Sequence, residues 1–256
     1  MLEGGEHRKD PRLYTLAAAV HVTSTVRRMA VDLAGLGVPL MVLRGPPVQL
    51  RLLGDASSYR SADVDLLVPA HHHRRVFKLL LQDGWDFSPE NGVLWRLDRA
   101  AAFTKRGVTV DLHWGLHAHT VSARHLRPLE RALWLDAAPS ADGWCEPRIE
   151  PLAVYLAVHG AASGFHKPES LLLIGAAGRL VSDWVGVETL ARRAHVWPAV
   201  RHALAAAQGD RTGPMPPLFD GRGRRIASAA GREVRARLSR PALRAALRVV
   251  RSRRSD

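Results

Sequence analysis

Cysteine and long apolar runs are both scarce in this sequence of 256 residues. Its single cysteine, Cys145, cannot form an internal disulfide, which excludes a secreted cystine framework and a cysteine-rich zinc site. No uninterrupted apolar stretch reaches the roughly 18 residues that a transmembrane helix needs, and charged residues interrupt positions 1–10, where a signal peptide would have its apolar core. We therefore expect a soluble protein of the reducing cytoplasm, without a membrane span.

Acidic residues are scarce at one end of the chain, and this shortage accounts for most of the formal net charge of +13. Residues 221–256 contain twelve arginines against two acidic residues, which gives this tail +10 and leaves +3 for the rest of the chain. An Arg-rich tail suits RNA or another acidic partner. The remainder has little excess charge with which to grip a long polyanion, so nucleic acid is not the expected substrate.

The spacing of apolar residues divides the chain into a mixed first half and a helical second half. Residues 11–36 repeat apolar side chains at helical intervals, and short Val- and Leu-rich runs follow, as is typical of strands. We predict an α+β fold. Its units are a mixed α/β domain over residues 1–138, a linker over 139–151, an α-helical domain over 152–208, and a Pro/Gly linker with the Arg-rich tail over 209–256.

The individual elements follow from the same patterns. Strands over about 85–113 are expected to be antiparallel neighbours, because the connections between them are short. Predicted helices cover 11–36, 46–53, 72–83, 152–163, 170–181, 187–194 and 198–207. Predicted strands cover 38–43, 63–68, 85–87, 94–97 and 108–114.

Three aspartates fall on two of these strands. Asp63 and Asp65 are separated by one residue, so in a strand they share a face, while Val64 and Leu66 point into a core. If the strand that contains Asp111 pairs beside the first, a third carboxylate joins them. Carboxylates crowded into one cleft repel one another unless a cation neutralises them. The pattern therefore predicts a metal site at these aspartates, with Mg²⁺ or alternatively Mn²⁺ as the cofactor.

A turn suited to phosphate precedes the aspartates. The predicted strand 38–43 ends at Arg44 and Gly45, and a predicted helix follows at once. A helix start has unpaired amides and the positive end of the helix dipole. Gly45 permits close approach, and the planar guanidinium of Arg44 suits phosphate oxygens. Pro46 and Pro47 supply no N–H, so this turn has fewer amide donors than most phosphate loops.

The order of these pieces resembles that of a bacterial family of uncharacterised nucleotidyltransferase-like proteins within the DNA polymerase β-type nucleotidyltransferase superfamily. The matching residues are Arg44-Gly45-Pro46, then Arg60, then Asp63 to Val68, and later Val110 to Trp114. In the helical half, Glu150, Pro151, Leu152 and His159 fall where such proteins have an apolar helix with a histidine. The likeness covers about residues 10–207. It implies a polymerase β-like domain, with a small mixed sheet and flanking helices, followed by an α-helical domain.

The resemblance also implies roles for these residues in metal-assisted nucleotidyl transfer. Asp63 and Asp65 would hold the Mg²⁺ of an NTP, and Asp111 with a second metal ion would orient and help deprotonate an acceptor hydroxyl while pyrophosphate leaves. The implied acceptor is a small molecule, peptide or protein. The implied nucleotide-binding residues are Arg44, Gly45, Arg60 and His113.

Structural interpretations compete with each of these roles. Asp63 and Asp65 could lie on the wet side of a solvent-facing strand, and Asp111 could serve a structural hydrogen bond. His113 could be a packed histidine, and for His159, on an apolar helix, a satisfied core histidine is the more common explanation. At the level of function, the alternatives are a non-catalytic nucleotide-sensing or partner-binding module, a transferase that uses a nucleotide sugar at the same metal site, and an RNA-binding or RNA-modifying protein.

Overall fold

The computed structural model of the chain describes residues 10–61, 63–88, 99–116, 125–163, 165 and 168–209. Within them lie eight α-helices and seven strands. The helices are α1 (Pro11–Ala34), α2 (Pro46–Leu53), α3 (His73–Gln82), α4 (Arg127–Trp134), α5 (Ile149–Ala162), α6 (Pro168–Leu180), α7 (Trp184–Arg193) and α8 (Trp197–Ala207). The strands are β1 (Met41–Val42), β2 (Asp63–Leu67), β3 (Asp86–Ser88), β4 (Ala100–Lys105), β5 (Val108–His113), β6 (Ala138–Pro139) and β7 (Cys145–Glu146). The predicted strand 94–97 and the Arg-rich tail lie outside the described residues.

Helix α1 begins at a capped turn and contributes one apolar face to the core. The carboxylate of Asp10 accepts a hydrogen bond from the amide of Arg12 at 2.9 Å, which satisfies a donor that the helix leaves unpaired. Buried apolar residues then recur every three or four positions. They are Ala19, Val22, Val26, Met29, Ala30 and Leu33. The predicted long amphipathic helix is therefore confirmed, although it ends two residues earlier than expected.

The strands form one mixed sheet in the order β3-β4-β5-β2-β1-β7-β6. Strand β5 pairs with β2 in parallel and β1 pairs with β7 in parallel, whereas the other neighbours run antiparallel. The expected antiparallel pairing within residues 86–113 is confirmed for β3, β4 and β5. The parallel pairing of β2 with β5 makes neighbours of the two strands that contain the aspartates.

The central strands β2 and β5 have one apolar face and a second face that combines polar residues with the buried Leu67. On the first face every second residue is apolar and fully buried in the same core as the apolar stripe of α1. These residues are Val64, Leu66, Val108, Val110 and Leu112. The residues between them, which include Asp65 and Asp111, therefore lie on the opposite face.

Residues 139–151, predicted to form a linker, contain the end of β6, all of β7 and the start of α5. The amide of Cys145 donates to the carbonyl of Leu40 at 2.6 Å where β7 pairs with β1, and β6 pairs with β7. The Ser and Gly content of this segment marks the turn between β6 and β7, where Gly143 has a φ of 90° and its amide donates to Ser140. The division of the chain into domains stays a prediction.

Helix α5 is the central helix of the second half. Every residue from Glu150 to Val158 is buried, as expected for a helix surrounded by other elements. It contacts α4, α6, α7 and α8, and α6 also contacts α2 of the first half. The mixed sheet followed by a helical half confirms the predicted α+β fold.

Helix α4 has no counterpart among the predicted elements. Among the helices of the described ranges, none combines the length and the apolar character that crossing a membrane requires.

Candidate active site

The pairing of β2 with β5 sets Asp65 directly beside Asp111. Asp63 lies two residues before Asp65, pairs with Thr109, and shares a face with Asp65. The expected juxtaposition of the three aspartates is therefore present. Asp65 is only 1% exposed, whereas Asp63 and Asp111 are partly exposed. Solvent reaches those two carboxylates more readily than it reaches Asp65.

Arg44 forms an ion pair with the buried aspartate. Its Nη1 atom lies 3.3 Å from Oδ2 of Asp65, and the two side chains are 12% and 2% exposed. Burial by itself would raise the pKa of Asp65. The positive charge of Arg44, together with a hydrogen bond from Tyr155, instead brings that pKa well below the usual 3.8. Asp65 is therefore a carboxylate at neutral pH.

Two side chains of α5 complete this cluster. Tyr155 donates its hydroxyl to Oδ2 of Asp65 at 2.9 Å, across 90 positions of sequence. One helical turn later, Nε2 of His159 lies 2.8 Å from Nη1 of Arg44, and Nδ1 of His159 lies 3.7 Å from Oδ2 of Asp65. Because a guanidinium donates and cannot accept, Nε2 is the acceptor, and the proton of the neutral imidazole is on Nδ1, the nitrogen nearer Asp65.

Tyr155 was not among the predicted site residues, and His159 was expected to be a core histidine. Both residues lie on a helix that is apolar almost throughout, where a tyrosine or a histidine is usually a core residue. The available signal was their spacing of four positions, which puts two polar tips on one side of an otherwise apolar helix.

Gly45 packs its turn against the backbone of β2. It has a φ of 100° and a ψ of −174°, a conformation that is almost restricted to glycine. A Cβ atom at this position would lie 3.0 Å from the carbonyl oxygen of Asp63 and 3.1 Å from Cβ of Val64. Glycine is therefore required both by the backbone conformation and by the close approach to the aspartate strand.

The start of α2 offers few amide donors, as expected from its two prolines. Pro46 and Pro47 occupy its first two positions, and the amides of Val48 and Gln49 both donate to the carbonyl of Gly45, at 3.0 and 3.1 Å. Among residues 46–49, two N–H groups are therefore absent and the other two are already paired. A phosphate-binding role for this turn has to depend on the guanidinium of Arg44 and on the amide of Gly45.

Two polar side chains that the sequence analysis missed order the chain before β2. Gln49 is fully buried, and in the amide orientation that satisfies its partners it donates to the carbonyls of Ala56 and Tyr59 at 3.0 and 3.2 Å. The hydroxyl of Ser61 lies 3.0 Å from Oδ1 of Asp63 and 2.9 Å from the Asp63 carbonyl. These contacts fix the approach to the aspartate strand.

The two remaining predicted site residues, Arg60 and His113, lie in different surroundings. Arg60 is exposed, and its guanidinium lies over the ring of Tyr14 of α1, with Cζ 4.9 Å from the ring centroid. His113 is 9% exposed, pairs with Leu67, and shares the polar face with Asp111. The structure therefore places His113 on the same face as the aspartates. The contacts described for Arg60 are with Tyr14 instead. The binding roles of both residues stay predictions.

The residues at this site fit a hard divalent cation in donor chemistry and in charge. Carboxylate oxygens are ligands that Mg²⁺ prefers, and three carboxylates against the guanidinium of Arg44 leave two negative charges for a cation to balance. Among the residues that the structure describes, however, no group of three or more His, Cys, Asp or Glu side chains is gathered so that it could hold a metal ion. The fit is therefore one of residue type and charge.

A family model described as uncharacterised nucleotidyltransferase matches residues 11–209. The chain belongs to this nucleotidyltransferase family. The match includes the aspartate strands, the Arg44–Gly45 turn and α5, so both halves of the cluster lie within the family's extent. This nucleotidyltransferase is therefore an enzyme of the transferase class.

Two solved structures are similar to the nucleotidyltransferase in fold. One is the solution structure of antibiotic-resistance factor ANT(2'')-Ia, at 16% identity and a TM-score of 0.48, covering 75% of this chain and 97% of that chain. The other is a crystal structure of ANT(2'')-Ia in complex with adenylyl-2''-tobramycin, at 15% identity and a TM-score of 0.48, covering 70% of this chain and 96% of that chain. No curated protein matches the sequence.

Proposed function

We propose that this nucleotidyltransferase is metal-dependent and transfers a nucleoside monophosphate from an NTP to a hydroxyl of a small molecule, peptide or protein. The observation that carries the proposal is the register of Asp65 beside Asp111 on parallel neighbouring strands. The turn at Gly45 supports the proposal, because it packs on the backbone of Asp63. Arg44, the residue before this turn, contacts Asp65 through its guanidinium. A phosphate and a cation could therefore share one patch of the sheet.

Each residue of the patch has a role in this proposal. Asp63, Asp65 and Asp111 would hold Mg²⁺, which when bound neutralises phosphate charge and makes the acceptor hydroxyl more acidic. Arg44 contacts phosphate oxygens through its planar guanidinium, and the amide of Gly45 donates to the same group. The proposed contacts of Arg60 and His113 are also to the nucleotide.

The transfer itself is an in-line displacement at the α-phosphorus of the NTP. The acceptor oxygen forms a bond to that phosphorus, and the bond from phosphorus to the oxygen that bridges to the β-phosphate breaks. Pyrophosphate leaves with the electron pair of that bond. Asp111 is partly exposed, so it is the carboxylate proposed to take the acceptor proton and pass it to solvent.

Calorimetry with each of ATP, GTP, CTP and UTP, with and without Mg²⁺, tests the proposal. We expect Mg²⁺-dependent binding of at least one NTP to the wild-type protein and its loss in Asp111→Asn. Asp86→Asn is a matched control, because Asp86 is an exposed aspartate on β3 at the edge of the same sheet. Nucleotide binding that needs no metal, or that Asp111→Asn leaves unchanged, would contradict the proposal.

A further inference from the structure

We propose that Tyr155 and His159 of α5 are positioning residues of the nucleotidyl-transfer site. Tyr155 acts through the carboxylate of Asp65, and His159 acts through the guanidinium of Arg44. This inference rests on the proposed function and goes beyond it, because it makes the helical half responsible for the orientation of two groups that belong to the sheet half.

The contact from Tyr155 fixes the buried carboxylate. Tyr155 is 6% exposed, and its hydroxyl donates to Oδ2 of Asp65 at 2.9 Å. A hydrogen bond to a charged acceptor is stronger than one between neutral groups. Burial, together with the neighbouring carboxylate of Asp65, raises the pKa of Tyr155 well above 10, so the hydroxyl remains a donor. Because the site is buried, water has little access to Oδ2 and would not readily take the place of the Tyr155 hydroxyl.

All the contacts described for the carboxylate of Asp65 fall on the same oxygen. Tyr155 and Arg44 both donate to Oδ2, at 2.9 and 3.3 Å, and Nδ1 of His159 is nearest to Oδ2 as well. These contacts set the rotation of the carboxylate about its bond to Cβ. Because Oδ2 accepts hydrogen bonds from other side chains of the protein, Oδ1 is the oxygen proposed to face a cation.

The contact from His159 fixes the other half of the ion pair. Nη1 of Arg44 donates to Nε2 of His159 at 2.8 Å, and the same Nη1 donates to Asp65 at 3.3 Å. A guanidinium has five N–H donors in one plane, so two acceptors on a single nitrogen orient the rest of that plane. The donors on Nη2 and Nε are those proposed to meet the phosphate.

The helix that contributes these two residues is rigidly enclosed. Tyr155 and His159 are four positions apart, so their side chains lie on one side of α5. The residues between them are buried, and α5 contacts α4, α6, α7 and α8. The side chains that contact Asp65 and Arg44 are therefore attached to a helix that is buried and packed against four others.

Removal of the Tyr155 hydroxyl tests the first half of the proposal. We expect Tyr155→Phe to weaken Mn²⁺ affinity by roughly 10- to 100-fold, because partners that orient a metal-binding carboxylate typically have effects of this size. The measurement is the Mn²⁺ dissociation constant from electron paramagnetic resonance, in the presence of whichever NTP the wild-type protein binds. Val154→Ala, at a fully buried apolar neighbour on the same helix, should lower the melting temperature but leave this constant unchanged.

Replacement of His159 tests the second half. His159→Ala removes the acceptor of Arg44, and we expect about a 10-fold weaker affinity for the NTP. His159→Gln retains an acceptor oxygen on a side chain of similar length, so it should restore most of that affinity. A residue that only fills space would show no such difference between the alanine and glutamine variants at equal melting temperature.

The outcomes separate this inference from the proposed function. If the wild-type protein binds no NTP with Mn²⁺, the proposed function fails, and the positioning roles fail with it. If the wild-type protein binds and Tyr155→Phe retains the Mn²⁺ affinity at a lowered melting temperature, Tyr155 is structural and its positioning role is overturned. Equal NTP affinities for wild-type, His159→Ala and His159→Gln proteins would overturn the role of His159.

Discussion

The guanidinium of Arg44 and the carboxylate of Asp65 form an ion pair at 3.3 Å, with side chains that are 12% and 2% exposed. One partner follows β1 and the other lies within β2, so the pair joins the Arg44–Gly45 turn to the aspartate strand. A charge that is this deeply buried is tolerated because its counter-charge is present. The pair is therefore important to the stability of the fold as well as to the proposed chemistry.

We predict that Asp65→Asn destabilises the protein by about 3–5 kcal/mol, the usual cost of removing one partner of a buried ion pair. The asparagine has a similar shape but leaves the guanidinium of Arg44 without a counter-charge. Urea unfolding at neutral pH measures the free energy of unfolding. Asp63→Asn is the matched control on the same strand, and because Asp63 is partly exposed it should cost less than about 1 kcal/mol. Equal losses in the two variants would contradict the importance of the pair.

Gly45→Ala should be more destabilising than the same change at another glycine with positive φ. Gly54 is the comparison, because its φ is 73° and a Cβ atom there would have no neighbour within 4 Å, whereas a Cβ at Gly45 meets the Asp63 carbonyl at 3.0 Å. We expect Gly54→Ala to cost about 1 kcal/mol from backbone strain alone, and Gly45→Ala to cost at least about 2 kcal/mol. Unfolding experiments on both variants measure the difference. Similar losses would show that the close packing on β2 is unimportant.

Asp111→Asn should separate catalysis from stability. Asp111 is partly exposed, so its replacement should change the free energy of unfolding by less than about 1 kcal/mol. Loss of the general base that removes the proton of the acceptor hydroxyl typically lowers the rate by about 100-fold or more. The measurement is mass spectrometry of cell extract incubated with the protein and a labelled NTP, with adduct formation followed over time. An adduct formed at the wild-type rate would exclude Asp111 from the reaction.

Glu150 provides a test of pH dependence away from the proposed metal site. Burial would raise its pKa, but hydrogen bonds from the backbone and from Ser182, with the charge of Arg148, lower the pKa below 4.5. A carboxyl group with a lowered folded-state pKa stabilises the fold above its unfolded-state value of about 4.5 and loses that contribution as the pH falls through the folded-state value.

Ser182→Ala should therefore cost about 1 kcal/mol at pH 7, because it removes a donor to the carboxylate, and the difference from the wild-type protein should shrink below about pH 4.5. Ser163→Ala is the control, since the Ser163 hydroxyl donates to the carbonyl of Gly160, which does not titrate. Its cost should be the same at both pH values. Urea unfolding between pH 3 and pH 7 checks both variants, and a constant difference for Ser182→Ala would contradict the linkage.

Several features could be predicted from the sequence because they depend on short-range geometry. The alternation of Asp63, Val64 and Asp65 fixes which side chains share a face of a strand, whatever the strand pairs with. The apolar spacing of residues 11–36 indicates a helix for the same reason. The composition of residues 139–151 did not indicate β6 and β7, because glycine and serine occur both in linkers and in the turns of hairpins.

The amino-acid sequence by itself determined that the two aspartates of β2 share a face and that a glycine turn precedes them, since both depend on neighbours a few positions apart. The order of the motifs along the chain, which the family shares, is also a property of the sequence alone. Only the tertiary structure decided that β5 pairs with β2 in parallel, so that Asp111 lies beside Asp65. It alone also decided that Tyr155 meets Asp65 across 90 positions. Such contacts depend on how distant segments pack, and no local pattern in an apolar helix specifies which buried charge its hydroxyl will reach.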